Sequence, residues 1–155
     1  MKDSRGCGRS SGPGDFEELA PFVRHLMAGL RLRAVAVFGS RARGDDLEDS
    51  DYDLAVVSDD FKGLNSYERR VRLNEAWHEA GPTAPADLFA LTSHELFRMD
   101  SLVVWDMLED GRPLHDDGIW EQARRKFRRL KAAGRITAVP GGWKVAEGRE
   151  DLRKT

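Results

Sequence analysis

Apolar and polar residues alternate along the chain with two periods, one helical and one strand-like. From Asp15 to Leu30 the apolar side chains recur at helical spacing, and since Pro21 suits a first turn, the regular helix is predicted to begin near Ala20. Ala34 to Phe38 is a continuous apolar run of strand length, which is typical of a buried strand. After a Gly-Ser turn and a polar stretch, Tyr52 to Val57 predicts a second strand.

The middle of the chain predicts a helix, a third strand and a further helix start. Ser66 is the expected N-cap of a helix that runs to about Ala80. The apolar side of this helix is expected to hold Tyr67, Val71, Leu73 and Trp77. Pro85 to Leu91 predicts a strand with side chains alternating between its two faces. Thr92 and Glu95 then have the spacing of a capping box.

The last third of the chain predicts two helices and a hairpin. Ser101 to Glu109 is helical in pattern and is ended by the Gly111 and Pro113 region. Asp116 to Ala133 predicts an amphipathic helix that carries a strongly basic stretch, residues 124–131. Gly134 to Val145 has the pattern of a β-hairpin with a Pro-Gly-Gly turn.

Together these elements predict an α/β fold, a small twisted mixed sheet with helices packed on one side of it. Three segments are expected along the chain. Residues 1–14 are rich in Gly and Ser and predict a disordered tail. Residues 15–115 form the predicted core, and residues 116–155 an appendage made of the basic helix and the hairpin.

Composition narrows the class of protein. A chain of 155 residues fits one domain with a real core. The net charge of −2 does not indicate a general polyanion binder, so contact with nucleic acid would need a local basic patch. The lone Cys7 excludes an internal disulfide. No apolar run approaches the roughly 20 residues of a membrane span, and the N-terminus lacks an apolar signal segment, so a cytoplasmic location is expected.

Candidate chemistry lies between the first two strands. Asp51 and Asp53 are two residues apart at the head of a strand, so they share one face, where their charges repel unless a divalent cation lies between them. The Gly39-Ser40 turn follows a strand and opens a helix, which directs backbone N–H groups towards an anion such as phosphate. A phosphate-binding turn beside a metal-binding carboxylate pair is typical of the active sites of enzymes that transfer phosphoryl or nucleotidyl groups.

Other interpretations of the acidic residues are weaker. Six of the nine residues from Asp45 to Asp53 are acidic, and a solvated loop would explain most of them. It does not explain Asp51 and Asp53, because this pair leads directly into an apolar strand. Asp49, Asp51 and Asp53 also match the first ligand positions of an EF-hand. That interpretation fails because its Gly position holds Leu54 and its Glu position holds Asp60. The chain has no G-x-x-x-x-G-K-[ST] motif, which excludes a P-loop enzyme.

The same stretch resembles a known family. Gly39 and Ser40, ten intervening residues and Asp51-Tyr52-Asp53 resemble the G-S-x10-D-x-D signature of the DNA polymerase beta nucleotidyltransferase superfamily. The small size and the Arg-Ala-Arg-Gly continuation are similar to its minimal nucleotidyltransferase branch, over residues 32–114. The resemblance implies a polymerase-beta-like fold and NMP transfer from an NTP, with ATP as the expected donor and two magnesium ions.

Three further residues complete the candidate site. Asp87 is an acid in an otherwise apolar strand, where an unpaired charge is costly, and the resemblance implies the family's third carboxylate at this place. The alternative is an ion pair of Asp87 with Arg41 or Arg72. Arg43 and Arg41 are candidates for neutralising phosphate charge. For these two arginines the alternative is pairing with the acidic residues just downstream.

Three classes of function stay open. Minimal members of the family often act as antitoxins that nucleotidylate a HEPN-type toxin, so the resemblance implies a protein hydroxyl and an antitoxin role. A small-molecule acceptor, as in aminoglycoside-modifying relatives, is the second class. The third is a non-catalytic module that binds a protein partner or nucleic acid. The basic stretch 124–131 is the candidate surface, unless its charge merely solvates the helix.

Overall fold

The computed structural model describes residues 13–44, 51–82 and 84–146. After a 3-10 turn at Pro13–Leu19, the helices and strands follow in the order α1 Ala20–Gly29, β1 Leu32–Phe38, α2 Ser40–Arg43, β2 Tyr52–Ser58, α3 Ser66–Ala80, β3 Ala86–Leu91, α4 Ser93–Arg98, α5 Leu102–Asp110, β4 Arg112–Asp116, α6 Ile119–Ala132, β5 Ile136–Val139 and β6 Gly142–Val145. The greater part of the predicted tail and the acidic stretch 45–50 lie outside the described residues, as do residues 147–155.

The predicted mixed sheet is confirmed, with the strand order β3-β2-β1-β4. β2 and β3 run parallel, whereas β1 is antiparallel to both β2 and β4. Strand β4 was not predicted, because Pro113 indicated only the end of a helix. Proline is tolerated at this place since β4 is an edge strand that pairs on one side only.

The expectation of helices on one side of the sheet is wrong, because both faces are covered. Val35 and Val37 of β1 belong to a buried cluster with α1 and α3. Ala34, Ala36 and Phe38 belong to a second cluster with α4, α5 and α6. The physical reason lies in the sequence of β1: its residues from Ala34 to Phe38 are apolar on both faces of the strand, so each face needs its own layer of helices.

Helix α3 differs from the prediction at its start and on its buried side. Asn65, not Ser66, is the N-cap: its side-chain oxygen accepts a hydrogen bond from the Glu68 N–H at 2.8 Å, and the Glu68 carboxylate accepts one from the Asn65 N–H at 2.9 Å. Tyr67 and Val71 are 70% and 37% exposed, whereas Leu73, Ala76 and Trp77 are buried. The predicted capping box of Thr92 and Glu95 is confirmed at the start of α4.

The C-terminal helix packs into the same cluster as the sheet. Trp120, Ala123 and Phe127 of α6 are buried together with Ala34 and Ala36 of β1. The predicted hairpin is confirmed as β5 and β6, and its Trp143 stacks edge-on against Phe127 with ring centroids 5.8 Å apart. The division at residue 115 into core and appendage stays a prediction.

The basic stretch 124–131 does not form one solvated face. Lys126 is only 8% exposed, and its ammonium group donates to the Phe97 carbonyl at 2.6 Å. Arg124 is half-buried, while Arg125, Arg128 and Arg129 are exposed. Within the described ranges, none of the helices has both the length and the apolar content to span a bilayer.

Gly111→Ala is expected to destabilise the fold through overpacking, by about 1–3 kcal/mol. A Cβ at this position would lie 2.3 Å from the Met107 carbonyl oxygen and 2.8 Å from Cζ2 of the buried Trp120. Urea unfolding of both proteins measures the loss. Gly29→Ala is the matched control, since a Cβ there meets nothing within 4 Å and alanine favours a helix. Equal stability of the two variants would contradict this account of Gly111.

Candidate active site

Two parallel strands bring the predicted carboxylates to one edge of the sheet. Asp53 lies in β2 directly opposite Asp87 of β3, and Asp51 immediately precedes β2. Neighbouring strands are about 4.8 Å apart, so the two paired aspartates belong to one local cluster of negative charge. Asp51 and Asp87 are exposed and Asp53 is half-buried. The structure therefore places the three predicted acids side by side.

Asp53 is the carboxylate that is most affected by this arrangement. Burial raises the pKa of Asp53, and the negative charges of Asp87 and Asp51 raise it further, while the charge of Arg43 opposes them. Ionisation of Asp53 is therefore less favourable in the folded protein than in an ordinary aspartate. A divalent cation would relieve the repulsion, because hard cations bind carboxylate oxygens.

The three carboxylates fit a magnesium site that is completed by water and substrate oxygens. In the described part of the chain, no group of three or more acidic, His or Cys side chains has the geometry to hold an ion by itself. Magnesium does not require one, since it commonly binds one or two carboxylates and completes its octahedron with water and substrate phosphate oxygens. Asp51, Asp53 and Asp87 therefore have the right chemistry for metal that arrives with a nucleotide.

Gly39 joins the end of β1 to the carboxylates. Phe38 pairs with Asp53 in the sheet, and Gly39 follows with φ 78° and ψ −155°. A Cβ on Gly39 would lie 2.4 Å from Oδ2 of Asp53, so both the backbone conformation and the contact require glycine.

The predicted turn at Gly39-Ser40 opens α2 directly beside Asp53. The N–H groups of Ala42 and Arg43 donate to the Gly39 carbonyl, each at 3.1 Å. In a helix, the N–H groups ahead of these have no intrahelical acceptor and are suited to an anion. The local geometry thus agrees with a phosphate-binding turn at Gly39 and Ser40.

The two candidate arginines are held by residues that the motif did not reveal. Nη1 of Arg43 lies 2.8 Å from Oδ2 of Asp110 at the end of α5. The guanidinium of Arg41 lies over the ring of Tyr52, 4.1 Å from its centroid. The Tyr52 hydroxyl in turn donates to the Glu18 carboxylate. Strand alternation predicts that the Tyr52 side chain points away from that of Asp53. The pairing with Asp110 of α5 and Glu18 of the N-terminal turn could not be predicted, because these residues are distant in sequence.

The structure also bears on the alternative ion pairs considered for Asp87 and Arg43. Arg72, a possible ion-pair partner of Asp87, donates instead to the Gly29 carbonyl at 2.9 Å. The acids just downstream of Arg43 lie outside the described residues. The assignment of Gly39, Ser40, Arg41, Arg43 and the three aspartates as functional residues stays a prediction.

Asp53→Asn is expected to stabilise the metal-free protein at pH 7. Since the folded-state pKa of Asp53 is raised, the folded state binds more protons than the unfolded state between the ordinary aspartate pKa and the raised one, so wild-type stability falls as the pH rises through that window. The variant removes this loss, and its advantage shrinks as the pH falls below the ordinary aspartate pKa. Urea unfolding with a chelator at pH 7 and at acidic pH measures the difference.

Asp59→Asn is the control of opposite sign. Hydrogen bonds from Ser93 and the charge of Arg33 lower the pKa of Asp59, so its ionised form stabilises the fold above the ordinary aspartate pKa and this contribution is lost in acid. The control variant should therefore be less stable than wild type at pH 7. A loss of stability at pH 7 in Asp53→Asn as well would overturn the repulsion argument.

Comparison with known proteins identifies the family. The family model "Polymerase beta, Nucleotidyltransferase" matches residues 23–114. Among solved structures, a chain of a toxin–antitoxin complex with AMP-PNP is similar in fold, with a TM-score of 0.53 and 20% identity over 74% of this chain and 87% of that one. A chain of the toxin–antitoxin complex MntA–HepT is also similar, with a TM-score of 0.50 and 17% identity over 77% and 88%. No curated protein matches the sequence. The family match covers more than half of the chain and contains the glycine turn and all three carboxylates, so this protein belongs to the polymerase beta nucleotidyltransferase family and is a transferase of that class.

Proposed function

We propose that this enzyme transfers a nucleoside monophosphate from a magnesium-bound NTP, with ATP as donor, to an acceptor hydroxyl and releases pyrophosphate. The observation that carries the proposal is the packing of Gly39 against Asp53 within a row of three aspartates. A phosphate-binding turn and a carboxylate cluster in direct contact are what nucleotidyl transfer requires.

Each residue has a role that follows from its position. Asp51 and Asp53 would hold two magnesium ions, and Asp87 would complete one of the two sites. When bound, magnesium would neutralise phosphate charge and polarise the α-phosphate. The N–H groups and hydroxyl at Gly39-Ser40 hold the β- and γ-phosphates, and Arg43 and Arg41 add positive charge beside them.

The transfer itself is an in-line displacement at the α-phosphorus. Asp87 accepts the proton of the acceptor hydroxyl, whose oxygen forms the new bond to phosphorus. The bond from the α-phosphorus to the bridging oxygen breaks, and its electron pair leaves with pyrophosphate. Asp87 is exposed on β3, so an acceptor reaches it from solvent.

The acceptor that we propose is a hydroxyl on a HEPN-type toxin, which makes this protein an antitoxin. Two observations support this choice: the motif resembles the minimal branch of the family, and structures of similar fold are toxin–antitoxin complexes, one of them with AMP-PNP. A small-molecule acceptor and a non-catalytic binding role are the competing outcomes of the experiment below.

Gly39→Ala is expected to abolish nucleotide binding, because the added Cβ displaces the Asp53 carboxylate. Thermal unfolding with magnesium and an ATP analogue bridged by α,β-methylene measures binding without turnover, since a ligand of the folded state raises Tm. Gly44→Ala is the matched control: Gly44 also has a positive φ of 81°, but its Cβ would meet nothing within 4 Å. The wild type and the control should gain stability. If Tm of Gly39→Ala rises as much as that of the wild type, the Gly39-Ser40 turn is not part of the nucleotide site.

Transfer to a protein is tested with ATP labelled on its α-phosphate and a purified HEPN-type protein as acceptor. We expect label on the acceptor with the wild type, and none with Asp51→Asn or Asp53→Asn, because each variant removes one of two carboxylates that bind metal. Intact-protein mass spectrometry should show one or more added NMP groups. Label on an aminoglycoside but not on the protein would favour the small-molecule class, and label on neither, with nucleotide bound, would favour the binding module.

A further inference from the structure

A pocket of about 700 Å³ lies along the open edge of β4, lined by residues of the N-terminal turn, α1, the end of α5, β4 and α6. Phe16, Ala20 and Val23 line it from the N-terminal turn and α1, opposite Pro113 and Leu114 of β4. This volume is within the range of small-molecule sites, and an apolar lining with a few polar groups is typical of them.

Two of the acidic residues around this pocket have ion-pair partners, whereas two of its arginines have none among the described residues. Of its acidic lining residues, Glu109 is bonded to Lys131 at 2.6 Å and Asp110 to Arg43 at 2.8 Å. Two of its arginines bond only neutral oxygens among the described residues. Nε of Arg112 donates to the Ala42 carbonyl at 2.9 Å, and Nη2 of Arg124 donates to the Gly111 carbonyl. The described lining thus carries three arginines, Arg24 among them, and three acids, but two of these acids are bonded to cations outside the lining and only Glu17 is left to offset the arginines.

Arg124 is the less satisfied of these two arginines. Its Nε is buried and has no hydrogen-bond partner within the described ranges. Burial lowers the pKa of Arg124, and the charges of Arg128 and Arg112 lower it further against Glu121 and Asp116. A half-buried cation without a bonded carboxylate is costly, and an anion in the adjacent pocket would offset that cost.

We propose that this pocket is a second binding site, which takes a small organic anion with an apolar body and a carboxylate or phosphate head group. The apolar body packs between α1 and β4, and the head group lies beside Arg124 and Arg112. The site is separate from the catalytic centre, since none of Gly39, Asp51, Asp53 and Asp87 lines it. It still adjoins α2 through the Arg112–Ala42 hydrogen bond. This proposal does not depend on the acceptor that the enzyme uses.

The probe is 1-anilinonaphthalene-8-sulfonate, which combines an aromatic body with one anionic group and fluoresces when bound. We expect saturable binding at one site and a roughly tenfold weaker affinity in Arg124→Gln, the effect of one charge-assisted hydrogen bond. Ala20→Phe should abolish binding, because the added ring fills the pocket. Arg129→Gln and Ala132→Phe are the matched controls, since both residues are exposed on α6 and neither lines the pocket.

Two competition experiments define the ligand. Octanoate and octyl phosphate compete for the probe, and the stronger competitor identifies the preferred head group. The neutral analogue N-phenyl-1-naphthylamine should bind the wild type more weakly and be insensitive to Arg124→Gln.

Three results would overturn the proposal. One is unsaturable binding to the wild type, and another is an affinity in Ala20→Phe equal to that of Ala132→Phe. The third is displacement of the probe by Mg-ATP in the wild type but not in Asp51→Asn, which would make the pocket part of the nucleotide site. Urea unfolding confirms that each variant folds. Ala20 is exposed, so its variant decides the question if Arg124→Gln is unstable.

Discussion

The contact between Gly39 and the carboxylate of Asp53 is the constraint on which the site depends. It fixes the end of β1 against the head of β2 and leaves no room for a side chain between the Gly39-Ser40 turn and the acid. Burial and the neighbouring charges of Asp87 and Asp51 also make the ionised form of Asp53 less favourable than that of an ordinary aspartate. Under the proposed function, a metal-bound nucleotide would relieve this repulsion, so the repulsion in the empty protein would favour the complex.

The two-sided core holds this contact in place. β1 and β2 are buried on both faces, because alternate residues of each strand belong to the two hydrophobic clusters. The parallel pairing of β2 with β3 then determines which residue faces Asp53. A slip of one residue would put an apolar side chain there, Ala86 or Leu88, in place of Asp87. The placement of Asp53 opposite Asp87 thus depends on the register of β2 and β3, two strands that are separated in sequence by α3.

The parts of the molecule that depend on local sequence were predictable. The glycine turn, the two strands around it, the Thr92 capping box and the C-terminal hairpin are each encoded within a few residues. Asp87 was singled out because a charge in an apolar strand is unusual, and it lies opposite Asp53; its function stays a prediction. Features that depend on distant residues were not predictable from pattern: the Arg43–Asp110 pair, strand β4 and the second layer of helices. Asn65 was missed for a different reason, since Asn and Ser are both good N-caps and stand next to each other.

Asp87 lies on an edge strand and is exposed, and under the catalytic role proposed for it this position affects which molecules the enzyme can accept. A deep catalytic cleft selects its substrates by size, because large molecules cannot enter. A reactive carboxylate at the open rim of a sheet sets no such upper limit, and a hydroxyl on a folded protein can approach it as easily as one on a sugar. Discrimination between acceptors must then come from the surfaces around the rim rather than from the cavity itself. Such surfaces can diverge between relatives while the carboxylates and the glycine turn stay unchanged.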